Sequence, residues 1–336
     1  MQKKTLISFL QAFGIILVVI GHSFYNHEDN VFYTWIYSFH MPLFVFISGY
    51  LFKYTLDGKG TCLSEVPLYG KNGFIIKKVK RLLIPYVVIS TIAFFPKVLL
   101  SNFAARGIEF SWSAYSHMLL YPWSNVIIFF WFLPTLFIIF MIVVYSARIS
   151  TYIKYAIPGL FILILLLLLH LFNPFTQVAF FNIVGVCSYL FYFVLGYYFC
   201  QMKIEQRMNG KSIVGFCCTF SLSILLIFIP SFIGRDVLLA VNGILMSAFL
   251  GLVYVKYNYT FLHFLFGASY AIYLFSWFPQ VLSQQIFLGL THAPWIIGSC
   301  LSVLSGVYIP LWIYKWIIKN KTKKKSAKVV AALTGQ

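Results

Sequence analysis

Apolar runs of about 20 residues recur from one end of this sequence to the other, and that is the length a helix needs to cross about 30 Å of hydrocarbon. All seven acidic residues fall outside those runs. A soluble chain with one buried helix would not repeat the pattern throughout. Of the 336 residues, 61% are hydrophobic and 10% charged, whereas a soluble domain carries roughly 25% charged residues. Lipid is therefore the expected solvent. A transmembrane barrel would alternate apolar and polar residues over about 10 positions, and runs such as Phe161 to Leu169 do not alternate. The expected fold class is an all-α integral membrane protein.

Ten spans are expected, over 5–25, 32–52, 82–100, 124–146, 155–172, 180–200, 212–232, 237–256, 261–280 and 294–314. The first run, Leu6 to Ile20, has a basic flank (Lys3, Lys4). It is followed by Gly-His-Ser-Phe-Tyr rather than a small-residue cleavage site, so it reads as a span and not as a leader. Lysine and arginine set the orientation, because they concentrate on the cytoplasmic side. With both ends inside, 22 of the 25 basic residues fall in cytoplasmic segments, and only Lys97, Arg106 and Arg235 fall outside. The net charge of +18 then divides as +19 inside and −1 outside. This sorting accounts for the high charge without a nucleic-acid partner. The lysine-rich end, 316–336, reads as a basic cytoplasmic tail against anionic headgroups, following a single membrane domain over 1–315. The external segment 101–123 carries Trp112, Tyr115, His117, Tyr121 and Trp123, which favour the headgroup layer. The six cysteines lie mostly inside apolar runs with no metal-ligand spacing, so no metal site and no disulfide framework are expected.

Polar groups inside spans are costly and usually face the bundle interior or a wet cavity. Those here are Gln11, His22, His40, Arg81, His170, Asn182, Asn242 and Ser276. Gln11 and His22 are eleven residues apart, which returns to within about 20° of one helix face. His40 precedes Pro42, whose ring crowds the carbonyl of Ser38, so an opening of the second helix is expected there. Ser48 and Gly49 permit close approach of another helix. Pro85 leaves the carbonyl of Arg81 without its helical donor, placing a guanidinium at a distorted cytoplasmic mouth that suits phosphate. Histidine is the usual proton acceptor near neutral pH, and a sugar hydroxyl needs such a base to become a nucleophile. These residue types suit a transfer reaction fed from the basic side. An intramembrane histidine can equally be a packing residue, and an arginine at a helix start an interfacial anchor; the residues alone leave both open. His117, His170, His263 and His292 lie at span ends and read as interfacial.

The segment Phe9-Leu-Gln-Ala-Phe-Gly-Ile-Ile-Leu-Val-Val-Ile-Gly-His22 resembles the opening helix of acyltransferase family 3, membrane proteins that move acyl groups onto sugars. Phe39-His-Met-Pro-Leu-Phe-Val-Phe-Ile-Ser-Gly-Tyr-Leu-Phe52 is similar to the second helix of its membrane-only bacterial branch. Lys77 to Tyr86, Trp131-Phe-Leu-Pro134, Phe193-Val-Leu-Gly-Tyr197 and Ser269-Tyr-Ala-Ile-Tyr-Leu-Phe275 resemble later landmarks, so the likeness runs over most of the chain. Ser8, Gln11 and Ser276 stand where the family usually has an acidic residue, a basic residue and a histidine.

The resemblance implies transfer from cytoplasmic acyl-CoA, most commonly acetyl-CoA, to a hydroxyl of a surface or lipid-linked glycan at a bacterial inner membrane. His22 would be the base, with His40 orienting the hydroxyl or stabilising the oxyanion. Lys77, Lys78, Lys80 and Arg81 would hold the donor phosphates, and Gln11 would donate to its carbonyl or phosphate. The rival expectation is a non-catalytic membrane protein that binds or exports a glycan. An ion-coupled transporter would want carboxylates at the midplane, and no span holds one.

Overall fold

The computed structural model describes residues 2–24, 27–99, 107, 109–151, 159–291 and 294–320. Arg106, Lys154, His292 and the tail from residue 321 lie outside the described residues, as do the starts of the fifth span and of the external segment. The described chain is helical: α1 Gln2–Gly21, α2 Val31–Asp57, α3 Phe74–Lys78, α4 Ile84–Leu99, α5 Trp112–Leu120, α6 Phe132–Ser150, α7 Gly159–Leu171, α8 Ile183–Gln201, α9 Ile204–Met208, α10 Ser212–Phe228, α11 Arg235–Lys256, α12 Ser269–Phe275, α13 Trp277–Gln284 and α14 Trp295–Asn320. Among the described residues, eight helical segments are long and apolar enough to cross a bilayer, and α7 is a shorter apolar helix. Each closes its backbone hydrogen bonds internally, as hydrocarbon requires.

Two expected boundaries move. The ninth span was expected over 261–280, but the helix begins at Ser269 and runs through α12, α13 and a wide turn to Leu290. Asn258 and Gly267 take positive φ of 53° and 80°, and these left-handed residues break a stretch that hydropathy alone reads as continuous. Helix α14 runs on to Asn320, past the expected end of the tenth span at 314. Pro42 does not end α2, which continues through it to Asp57. Pro85 does leave its mark. A wide helical turn, Val79–Leu83, separates α3 from α4, and the Ile84 amide reaches back five residues to the Val79 carbonyl. A proline that removes one donor is accommodated by this local widening.

The chain forms two compact units. One holds the residues up to Thr55 together with Tyr192–Ile318; the other holds Leu56–Phe191. In the first unit, α1 packs on α11 and α12, and α10 packs on α11. Leu17, Ile36, Phe39 and Met246 form a buried apolar centre there. The start of α1 is fastened by Lys3 Nζ, 3.1 Å from Glu205 Oε1. Helices α2 and α8 touch backbone to backbone: a Cβ at Gly49 would strike the Phe193 carbonyl, and one at Gly196 the Phe46 carbonyl. The close approach expected at Gly49 is present, and each glycine makes room for the other helix.

In the second unit, α6 packs on the wide turn and on the short helix Leu63–Glu65. Asn182 is buried at its centre. Its Oδ1 accepts from Trp123 Nε1 at 2.9 Å and from the Gly185 amide at 3.2 Å, and its Nδ2 donates to Thr135 Oγ1 at 2.8 Å. One asparagine thus caps α8 and ties it to α6. His170, expected at an interface, meets the Ser188 carbonyl through Nδ1 at 2.6 Å. Asn242, in the first unit, donates to the Thr219 carbonyl at 2.8 Å and joins α11 to α10.

Candidate functional site

His22 follows the last residue of α1, and its amide still bonds the Val18 carbonyl at 3.0 Å. The residue therefore sits in the final helical turn and is half-buried. Tyr37 comes from α2, and its hydroxyl lies 3.3 Å from His22 Nδ1. The Tyr37 ring also stacks on Tyr33, with centroids 4.0 Å apart. The same ring meets His40 in an edge-on arrangement, with centroids 4.7 Å apart. One tyrosine thus touches both histidines that the sequence singles out, and the first unit brings all three together.

His40 is only 2% exposed, and its Nδ1 lies 2.9 Å from the carbonyl of Ile36, one turn back on the same helix. A carbonyl accepts only, so Nδ1 must carry the hydrogen. A neutral His40 then presents a lone pair at Nε2 rather than an N–H. It suits holding a hydroxyl by its proton better than stabilising an oxyanion. His22 differs, because a phenol can donate or accept. When Nδ1 donates to the Tyr37 oxygen, the lone pair stands on Nε2, which is the form a general base requires.

Behind His22 the backbone is held from the far end of the sequence. Gln280 Nε2 donates to the Val19 carbonyl at 2.8 Å, and Gln284 Nε2 to the His22 carbonyl at 3.0 Å. Ser299 Oγ donates to the Ser23 carbonyl at 2.8 Å. Gly306 of α14 leaves the room that Gln280 fills, since a Cβ there would lie 2.6 Å from Gln280 Cγ.

Tyr37, Gln280, Gln284 and Ser299 are absent from the sequence-derived set. The available signal was the polar spacing Ser276, Gln280, Ser283, Gln284, which marks one helix face. Placing the ninth span at 261–280 put Gln284 beyond its end. Of the other expected residues, Gln11 is partly buried on α1 and makes no side-chain hydrogen bond to a described residue. Ser276 is buried, and its hydroxyl has no partner among the described residues.

The expected phosphate-holding residues belong to the other unit. Lys77, Lys80 and Arg81 are exposed around the wide turn. Lys78 is set apart from them. Its Nζ lies 3.2 Å from the Phe140 ring centroid and 5.2 Å from that of Phe74, so its charge rests on aromatic faces.

Fold and site together define a multi-pass helical membrane protein with a paired-histidine centre at the end of its first helix. A family model described as an acyltransferase domain matches residues 6–315, nearly the whole chain, and the protein belongs to acyltransferase family 3. No curated protein and no solved structure matches it. The family supports a membrane-embedded acyltransferase.

Proposed function

We propose that the protein is an O-acyltransferase of a bacterial cytoplasmic membrane. It moves an acyl group, acetyl in the leading case, from cytoplasmic acyl-CoA to a hydroxyl of a surface or lipid-linked glycan. The observation that carries this reading is the half-buried His22 with the Tyr37 hydroxyl at its Nδ1. That contact allows the tautomer a base needs, within a chain of the acyltransferase family. The sorting of basic residues supports ten spans with both ends inside, so that a cytoplasmic donor meets the positive side.

In this reading Lys77, Lys80 and Arg81 attract the donor phosphates, and Lys78 adds its charge from the Phe140 face. Gln11, whose amide is uncommitted among the described residues, donates to the donor carbonyl or a phosphate. His40 orients the acceptor through its Nε2 lone pair, which accepts from a neighbouring hydroxyl of the same sugar and leaves the reacting hydroxyl's proton to His22. His22 Nε2 removes the hydroxyl proton as the oxygen attacks the thioester carbonyl. The C–O bond forms, the C–S bond breaks, and the CoA thiolate leaves and recovers the proton from His22. The products are an ester and free CoA.

The test is O-acetyl content of surface glycan in cells that carry the wild-type chain or His22→Ala at equal membrane levels. Loss of acetylation in the variant is expected, and unchanged acetylation removes His22 as the base. Purified protein should also gain thermal stability with acetyl-CoA, by mass action. A shift with oligosaccharide alone, and none with acetyl-CoA, would move the protein to glycan binding or export.

A further inference from the structure

The last carbonyls of an α-helix have no partner within the helix. In a bilayer they must find one or carry a cost of several kcal/mol each. Water satisfies them at a soluble protein's surface, but α1 ends differently. The Val18 carbonyl takes the His22 amide, and the Ile20 carbonyl takes both the amide and the hydroxyl of Ser23. Three further acceptors, Val19, His22 and Ser23, take side-chain donors from Gln280, Gln284 and Ser299, more than 250 residues away in sequence. Two of the donors lie one turn apart on a single helix, α13. They meet carbonyls three residues apart at the end of α1, those of Val19 and His22.

We propose that Gln280 and Gln284 are positioning residues for His22, clamping its backbone from α13 while Tyr37 holds its ring from α2. The inference rests on the reading of His22 as the base. A histidine at a helix end has a fraying backbone and a ring that follows it. Proton transfer needs heavy atoms within about 3 Å, and a shift of about 1 Å can cost on the order of 100-fold in rate. The backbone bond from Gln284 and the ring contact from Tyr37 constrain opposite ends of the same residue. Gln284 is itself steadied by a 3.4 Å contact to Ser302 Oγ, and α13 is tied to α14 by Ser283 Oγ and Ser305 Oγ at 2.7 Å. The base would thus be aimed by the C-terminal helices, although it is carried by the first.

Three variants of the full chain in lipid nanodiscs test this: Gln284→Met, Gln284→Lys and Gln280→Met. Methionine keeps the volume of glutamine and loses the donor; lysine keeps an N–H donor and changes the shape and charge. With acetyl-CoA as donor and native membrane glycan as acceptor, Gln284→Met and Gln280→Met should each lower kcat about tenfold. KM for acetyl-CoA should stay within about twofold. Gln284→Lys should recover most of the lost kcat. A mere packing role predicts the reverse order, with Met tolerated and Lys damaging.

The second readout needs no turnover. The 15N ring signals of His22, identified by their loss in His22→Ala, should shift or split in Gln284→Met and return towards wild type in Gln284→Lys. Ring signals that do not move with the Met variants, or a Lys variant no better than Met, overturn the inference. If His22→Ala abolishes transfer while Gln284→Met matches wild type, the clamp fails and the base assignment stands. If transfer survives His22→Ala, the base assignment fails, and the ring signals still decide whether the clamp exists.

Discussion

The end of α1 and the basic turn after α3 both present polar groups, yet they are built in opposite ways. At His22 the ring meets Tyr37, the backbone meets Gln284, and the neighbouring carbonyls meet Gln280 and Ser299. At Lys80 and Arg81 the cations sit exposed on a widened helical turn, with Lys77 exposed just before it on α3. A proton transfer depends on sub-ångström placement, whereas attraction of a polyphosphate depends on summed charge over several ångströms. Over-determined geometry at one place and exposed charge at the other are what those two tasks require.

That contrast can be broken by substitution. The largest effect is expected for His22→Ala, which should reduce acyl transfer about 100-fold or more with the protein still folded. Gel filtration in detergent serves as the folding check. Tyr37→Phe keeps the stack on Tyr33 and removes the hydroxyl. It should lower kcat about tenfold, close to the worth of one hydrogen bond, and leave KM for acyl-CoA nearly unchanged. A Tyr37→Phe protein with normal kcat would show that the ring of His22 is held by something else.

The basic turn should respond in the other parameter. Replacing Lys77, Lys80 and Arg81 together with glutamine should raise KM for acyl-CoA about fivefold at low salt. The difference should shrink at about 0.5 M salt, where charges are screened within a few ångströms. A fall in kcat alone would contradict a donor-attracting role. The smallest change is expected for Lys78→Met. Its ammonium already rests on Phe140 and Phe74, so KM should move by less than about twofold. Thermal stability should drop by about 0.5–1 kcal/mol from loss of the cation–π contact. A Lys78→Met variant with the larger KM effect would reverse the roles assigned to neighbouring lysines.

Much of the architecture follows directly from the sequence, because hydrocarbon admits few solutions. A run of apolar residues long enough to span, free of acids, has to be a helix with its backbone bonded internally. That logic places α1, α4, α8, α10 and α11 within a few residues, and it anticipates the disturbance at Pro85 and the close approach at Gly49. Hydropathy fails where apolar side chains sit on backbone that cannot be helical, as between Asn258 and Gly267. Phe261, Leu262, Phe264 and Leu265 read as membrane there, while the left-handed residues on either side set the helix start at Ser269. His22 and His40 are visible in the sequence because ionisable groups in apolar runs are rare.

Their partners are not visible in the same way. Tyr37 is one of 23 tyrosines, and nothing in its neighbours distinguishes it. Gln280 and Gln284 gain their meaning only from carbonyls on a helix 260 residues earlier. The amino-acid sequence by itself determined a helical membrane chain and the histidines worth attention, since both come from transfer free energies summed along short windows. The tertiary structure alone decided that one tyrosine touches both imidazoles, that Lys78 turns to aromatic rings, and that the far C-terminal helices secure the end of the first. Hydrogen bonds and ring contacts between distant segments are set by three-dimensional packing, which no local window encodes.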